Sequence, residues 1–203
     1  MILVGRFQSP FVRRAAVTLK HYGLNFEHKA LSSMTDKDAV KTFNPLGRVP
    51  AFVTDEGDTI VDSAVILDHL DELAGPSKSL TPPKGKERRK VLHAVAVAVG
   101  ACEKAVGGLY EKNRRPAEKV HQPWLDQLDG QAKDGLDALE AMNPSPFLCG
   151  SKLTQADVTA VCVFDFMRGQ LPHLAPAGRY PKLEALSKRC NEMPAFAETV
   201  PKG

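Results

Sequence analysis

Residues 76–83 contain three prolines, Pro76, Pro82 and Pro83, and they divide this chain of 203 residues into two stretches whose hydrophobic patterns differ in kind. Before the break, short apolar runs of strand length alternate with helical periodicity. After it, only helical periodicity remains. A proline-rich segment of this type reads as a linker between units with separate cores. The chain is long enough to bury two of them.

In the first stretch, Ile2-Leu3-Val4 reads as a buried strand. Phe11, Ala15 and Leu19, with Val12 and Ala16 beside them, mark one face of a helix from Pro10 to about Tyr22, stopped by Gly23. Residues 26–31 alternate as a strand, and 36–43 read as a short helix ended before Asn44-Pro45. Pro50-Ala51-Phe52-Val53 and Thr59-Ile60-Val61 flank an acidic, glycine-containing turn, the pattern of an antiparallel hairpin. Ser63 to Ala74 is helical. The order βαβ, helix, ββα predicts a four-stranded mixed sheet whose first two strands are parallel.

Beyond the linker, Val91 to Val106 is apolar nearly all round, which predicts the central helix of a bundle. Leu125, Leu128, Ala132, Leu136 and Leu139 mark a second helix, with Trp124 beside them; a third starts at Thr154, and a fourth, from Pro181, carries Leu183, Leu186 and Cys190. The expected organisation is a unit over 1–75, a linker over 76–85 and an all-helical unit over 86–203.

Composition excludes several classes. With 43% apolar and 25% charged residues, the chain is neither disordered nor collagen-like. The apolar run at the N-terminus is too short for a signal peptide, and Val91–Val106 is short for a bilayer, so a cytoplasmic protein without membrane contact is expected. Cys102, Cys149, Cys162 and Cys190 form no close pair and are expected as free thiols. The six histidines show no metal-ligand spacing, so no metal is expected. The net charge of +3 comes from one cluster, Lys78, Lys84, Lys86, Arg88, Arg89 and Lys90 against Glu87. Few aromatics accompany it, so it reads as a solvated face and not as a nucleic-acid site.

Three segments of the first stretch carry candidate chemistry. Ser9, before Pro10 at the mouth of a helix, puts a hydroxyl where free N–H groups and the helix dipole favour an anion such as a thiolate. By itself it reads equally as a helix cap. Val49-Pro50 opens a strand; a cis bond there turns the Val49 backbone outward to pair with an extended peptide, whereas a trans bond makes it an ordinary edge. Asp62-Ser63 precedes another helix. There Ser63 can hold a carboxylate and Asp62 an ammonium group, or the two can be a plain cap. In the second stretch, Thr154 with Asp157 three residues on matches a capping box, with Leu153 and Val158 placed as its hydrophobic staple.

The order and spacing of these segments resemble those of cytosolic glutathione transferases along the whole chain. The likeness rests on Ser9-Pro10-Phe11-Val12-Arg13, on Asn44 through Val49-Pro50, on Asp62-Ser63, and on Gly150-Ser151-Lys152-Leu153-Thr154-Gln155-Ala156-Asp157. Tyr180-Pro181-Lys182-Leu183 and the segment from Arg189 to Phe196 add to it. The resemblance implies an N-terminal thioredoxin-like domain followed by a C-terminal helical bundle.

It implies further that Ser9 donates to glutathione sulfur and holds it as the thiolate, as in serine-type members. Phe7 lacks the hydroxyl of tyrosine-type members, and no cysteine precedes Cys102. Val49, beside cis-Pro50, would pair with the cysteinyl unit, Asp62 and Ser63 would hold the γ-glutamyl end, and Arg48 or Lys41 would approach the glycyl carboxylate. Asp62 stands where many members carry the longer Glu. Phe11, Tyr110, Arg114 and Phe166 would line the pocket for a small hydrophobic electrophile, in a homodimeric enzyme using glutathione as co-substrate. Two other readings share the fold: another glutathione-dependent enzyme (isomerase, dehalogenase or peroxidase), or a non-catalytic regulator resembling stringent-starvation-type proteins.

Overall fold

A computed structural model describes residues 1–201. By internal contacts the chain divides into two compact units, residues 1–83 with 191–203, and residues 84–190.

The first unit is built on four three-residue strands, β1 (Ile2–Val4), β2 (Glu27–Lys29), β3 (Ala51–Val53) and β4 (Thr59–Val61), in the spatial order β2-β1-β3-β4. β1 runs parallel to β2 and antiparallel to β3, and β3 runs antiparallel to β4. Helices α1 (Pro10–His21), α2 (Lys37–Lys41) and α3 (Ser63–Ala74) complete the βαβ and ββα halves. Leu3 and Phe52 sit opposite each other on β1 and β3, and form a core with Val12, Ala15, Ala16 and Leu19 of α1 and Ile66 and Leu70 of α3. Burial on α1 goes beyond the face that its four-residue stepping marks: Val12 through Leu19 are all buried, Arg13, Arg14 and Thr18 included, and Phe11 is half-buried.

The proline-rich segment is less free than a linker reading suggests. Tyr22 at the end of α1 donates to Asp71 of α3, and the Leu80 N–H donates to the Tyr22 hydroxyl at 2.6 Å. Leu80 and Thr81 are buried. Burial and the Asp71 carboxylate push the Tyr22 hydroxyl well above the usual tyrosine range, so it stays a donor.

The second unit contains α4 (Gly85–Arg114), a 3-10 turn (Ala117–Lys119), α5 (Gln122–Ala141), α6 (Gln155–Gln170) and α7 (Pro181–Asn191). The five apolar positions that marked α5 are all buried, as are Leu183, Leu186 and Cys190 on α7. α4 packs on both α5 and α6, in line with the central place expected of it, but it is not buried all round. Val91, Ala94, Ala98, Ala101, Cys102, Ala105 and Gly108 form one buried stripe, while Leu92 is exposed and Val95 and Val99 are half-buried. The stripe is made of small side chains, so the helices packed on it approach closely. A Cβ built on Gly135 of α5 would lie 2.5 Å from the Ala101 Cβ. By length and composition α4 could cross a membrane, but its stripe packs against α5 and α6 as the core of the second unit.

A further difference concerns the C-terminus, which was expected to belong entirely to the helical unit. Residues 191–203 group instead with the first unit. A short helix, α8 (Pro194–Ala197), packs against α1, with Phe196 fully buried, and the buried Arg13 of α1 donates to Asn191 Oδ1 at 2.7 Å.

Candidate glutathione site

The sheet register brings the three candidate segments together. Val4 of β1 pairs with Ala51 of β3, and Ala51 pairs with Val61 of β4. Because β4 is parallel to β1, and β3 runs against both, all three strands meet the same sheet edge at this row. The loop to Ser9 leaves after Val4, Val49-Pro50 enters before Ala51, and Asp62-Ser63 follows Val61. With neighbouring strands about 4.8 Å apart, β1 and β4 are separated by about 10 Å at this edge, the reach of an extended tripeptide.

Gly5 draws the first two segments into contact. Its φ is +129°, and a Cβ there would lie 2.5 Å from Val12 Cγ2 and 2.9 Å from Val49 Cβ. Only glycine fits both the backbone angle and the space. The Val49-Pro50 peptide bond is cis. Among the described residues no backbone hydrogen bond engages Val49, which leaves its N–H and C=O available to an added strand. The loop before it is braced from within by the buried Asn44. Its Nδ2 donates to the Arg48 carbonyl at 2.9 Å, and its Oδ1 accepts from the Leu46 N–H at 3.0 Å.

Ser9 is the N-cap of α1, followed by Pro10 at the first helical position. Its oxygen accepts from the Val12 N–H at 3.4 Å, a long contact that leaves the hydroxyl largely uncommitted. Asp62 caps α3, accepting from the Ala64 N–H at 2.8 Å, and has φ +70°, an angle uncommon for a residue with a side chain. Ser63 is 4% exposed, and its hydroxyl oxygen accepts from Arg14 Nε at 3.1 Å and Nη2 at 2.7 Å. Both hydroxyls sit at N-termini of 12-residue helices, where the dipole favours an anion.

The remaining candidates are placed as follows. Phe11 is half-buried on α1, and the Arg48 and Lys41 side chains are exposed. In the second unit Tyr110 is 37% exposed on α4, with the Arg114 guanidinium 3.8 Å from its ring centroid, and Phe166 is half-buried on α6. The four cysteines are free. Burial pushes the Cys190 thiol up to about 12 and raises that of Cys149, so neither ionises readily.

Two supporting residues escape a reading of motifs alone: Gly5 and Arg14. Gly5 carries no periodicity, and its role lies in a close approach of two loops distant in sequence. Arg14 had one sequence signal, a cation among the apolar positions Val12, Ala15 and Ala16 of an amphipathic helix.

Residues 8–73 match the family model of the glutathione S-transferase N-terminal domain, and residues 122–189 match that of the glutathione S-transferase C-terminal domain. The chain belongs to the glutathione transferase family. A glutathione transferase family member from Pseudomonas fluorescens, solved with bound glutathione, superposes with a TM-score of 0.88 at 29% identity, over 100% of this chain and 99% of its own. The uncharacterized GST-like protein YibF of Escherichia coli is 28% identical, over 99% of this transferase-family chain and 98% of its own length. A maleylpyruvate isomerase of a Ralstonia species is 26% identical, over 99% and 97%. The glutathione transferase fold, a small mixed sheet with helices and then a helical domain, is that of this chain.

Proposed function

We propose that this chain binds glutathione along the Val49 backbone and conjugates its thiolate to a small apolar electrophile. The single observation that carries the reading is the shared sheet edge, where Ser9, the unpaired Val49 backbone and the α3 N-terminus follow one register row. The γ-glutamyl end lies on Asp62 and Ser63, ammonium against carboxylate and carboxylate against the helix N-terminus. The cysteinyl unit pairs with Val49 as an added strand. The sulfur then comes to the mouth of α1, where the Ser9 hydroxyl donates to it and favours the thiolate. A free thiol has pKa about 8.5, so such a donor raises the fraction of nucleophile at neutral pH. The bound Pseudomonas glutathione supports this assignment of the co-substrate.

In the transfer step the thiolate forms a carbon–sulfur bond and the leaving group departs with the electron pair of its own bond. Arg48 or Lys41 approaches the glycyl carboxylate, and Phe11, Tyr110, Arg114 and Phe166 are the residues assigned to the electrophile. The family likeness also supports a cytosolic homodimer.

A second reading is favoured by the Ralstonia relative. In an isomerase the same thiolate adds to a conjugated cis double bond, the resulting single bond rotates, and elimination returns glutathione with the trans product. The first half of both reactions uses the same residues.

The test is retention on immobilised glutathione, followed by conjugation to a chlorinated nitroaromatic and, separately, isomerisation of a cis-configured unsaturated diketo acid. Retention with conjugation that falls about 100-fold or more in Ser9→Ala supports the transferase. Retention with isomerisation alone supports the second reading. Failure of the wild type to be retained overturns both.

A further inference from the structure

We infer that Arg14 is a positioning residue for the γ-glutamyl carboxylate, acting through Ser63, an inference that rests on the glutathione reading above. Arg14 is 2% exposed, so its guanidinium is inside the unit and cannot itself lie against a ligand in the open site. Its Nε and Nη2 both point at one atom, the Ser63 Oγ, at 3.1 Å and 2.7 Å.

A serine hydroxyl has two acceptor positions and one proton. Arg14 occupies both acceptor positions, so the Ser63 hydroxyl is left able only to donate. Among the described residues nothing accepts that proton, and nothing accepts from the Ser63 N–H, one of the first-turn donors of α3. Asp62 accepts from the Ala64 N–H through Oδ1 alone, which leaves its Oδ2 for an ammonium. A buried hydroxyl proton without an acceptor is costly, and the group that suits it brings lone pairs and no proton, as a carboxylate does.

The consequence is orientation. The α-carbon of a γ-glutamyl group bears an ammonium and a carboxylate side by side. An ordinary serine can accept from the first or donate to the second. With Arg14 behind it, Ser63 can serve only the carboxylate, which directs the ammonium to Asp62. The guanidinium remains charged at all accessible pH values, so its field adds to the same preference.

The experiment compares glutathione with γ-aminobutyryl-cysteinyl-glycine, which lacks the α-carboxylate. Both are titrated calorimetrically into wild type, Arg14→Met and Arg14→Lys, with circular dichroism to verify folding. The expected result is a rise in Kd for glutathione of about 10- to 100-fold in Arg14→Met, with the analogue changed less than about twofold. Arg14→Lys, which can fill one acceptor position, should fall between. The KM for glutathione should rise while kcat at saturation is kept within about twofold, because the sulfur contact is untouched.

Equal losses for both ligands, or none, overturn the role of Arg14. If Arg14→Met does not fold, Arg14→Lys and Ser63→Ala carry the test. Losses confined to glutathione in both support the inference, and an Arg14→Lys variant that binds both ligands as wild type does overturns it. A wild type that binds no glutathione removes the parent reading as well, a result distinct from equal losses in the variants.

Discussion

Helices α3 and α6 begin with similar chemistry and in opposite conditions. At α6 the cap is closed upon itself. Asp157, fully buried, accepts from the Thr154 N–H and hydroxyl, each at 2.8 Å, and from the Leu148 N–H at 2.7 Å. At α3 the carboxylate of Asp62 takes one N–H, but the neighbouring Ser63 keeps an N–H and an O–H with no acceptor among the described residues, and Arg14 holds its oxygen from behind. A finished cap is a folding element. An unfinished one, stiffened by a buried cation and set at a sheet edge, is what the proposed ligand would complete. Helix termini supply the same orphan donors in both cases, and only what surrounds them decides which use is made.

The same contrast extends to the tight glycines. Gly5 in the first unit joins two loops of the site, whereas Gly135 in the second lets α5 pack on α4. The largest expected effect is therefore in Gly5→Ala. The φ of +129° and the overlaps with Val12 and Val49 should together cost about 4 kcal/mol, and any folded protein should lose glutathione binding as Val49 is displaced. Chemical denaturation and calorimetry measure the two losses. Normal affinity in a destabilised variant would separate Gly5 from the site.

Next comes Asp157→Ala, which strands the buried Leu148 N–H and takes the acceptor from two donors of the half-buried Thr154. A loss of about 3 kcal/mol is expected, seen as a fall in Tm of about 6–12 °C. Affinity for glutathione in the folded fraction should change less than about twofold. A specific loss of binding would break the distinction between the closed and open caps.

Gly135→Ala should be milder than Gly5→Ala, about 1–2 kcal/mol. The clash with Ala101 is partly offset by the better helix propensity of alanine, and the backbone angle needs no glycine. Denaturant midpoints of the two glycine variants give the comparison directly.

Asp62→Asn should keep the cap and tolerate the positive φ, leaving stability within about 0.5 kcal/mol. On the proposed reading it removes the charge that meets the ammonium, so glutathione affinity should fall about tenfold. A matching loss of stability instead would make Asp62 only a cap.

The smallest effect lies in pH. Burial outweighs the hydrogen bonds and raises the Asp157 carboxyl above the usual carboxylate range. The folded state therefore binds this proton more tightly than the unfolded chain. Its contribution to stability is greatest below the unfolded value, about 3.9, and is lost as pH rises through the higher folded value. Denaturant melts between these limits should show wild type losing stability with rising pH relative to Asp157→Asn. A slope of the opposite sign would mean that the three donors dominate.

Much of this arrangement was legible in the residues because it is local. The boundaries of α3, Ser63 to Ala74, follow from a cap at one end and Gly75 at the other. The capping pair Thr154 and Asp157 is three residues apart, and its geometry is that of any helix start. The strands β1 and β4 were readable from their apolar runs and the turn before β4. The apolar run of α4 marked a central helix but not its buried stripe, because composition does not count how many faces find a partner. The reading of the C-terminal segment erred for a related reason: a four-residue helix such as α8 has too short a pattern to show which unit it joins.

Sequence by itself determined the elements, their order, and the residue types at the helix mouths, since these depend on neighbours within a few positions along the chain. Tertiary structure alone decided that Val4, Ala51 and Val61 share a row, that Gly5 touches Val49, and that a cation on α1 fills the acceptor positions of a hydroxyl on α3. Each of these joins residues more than forty positions apart. Such contacts depend on strand register and on the volume left between packed surfaces, and no local pattern encodes either.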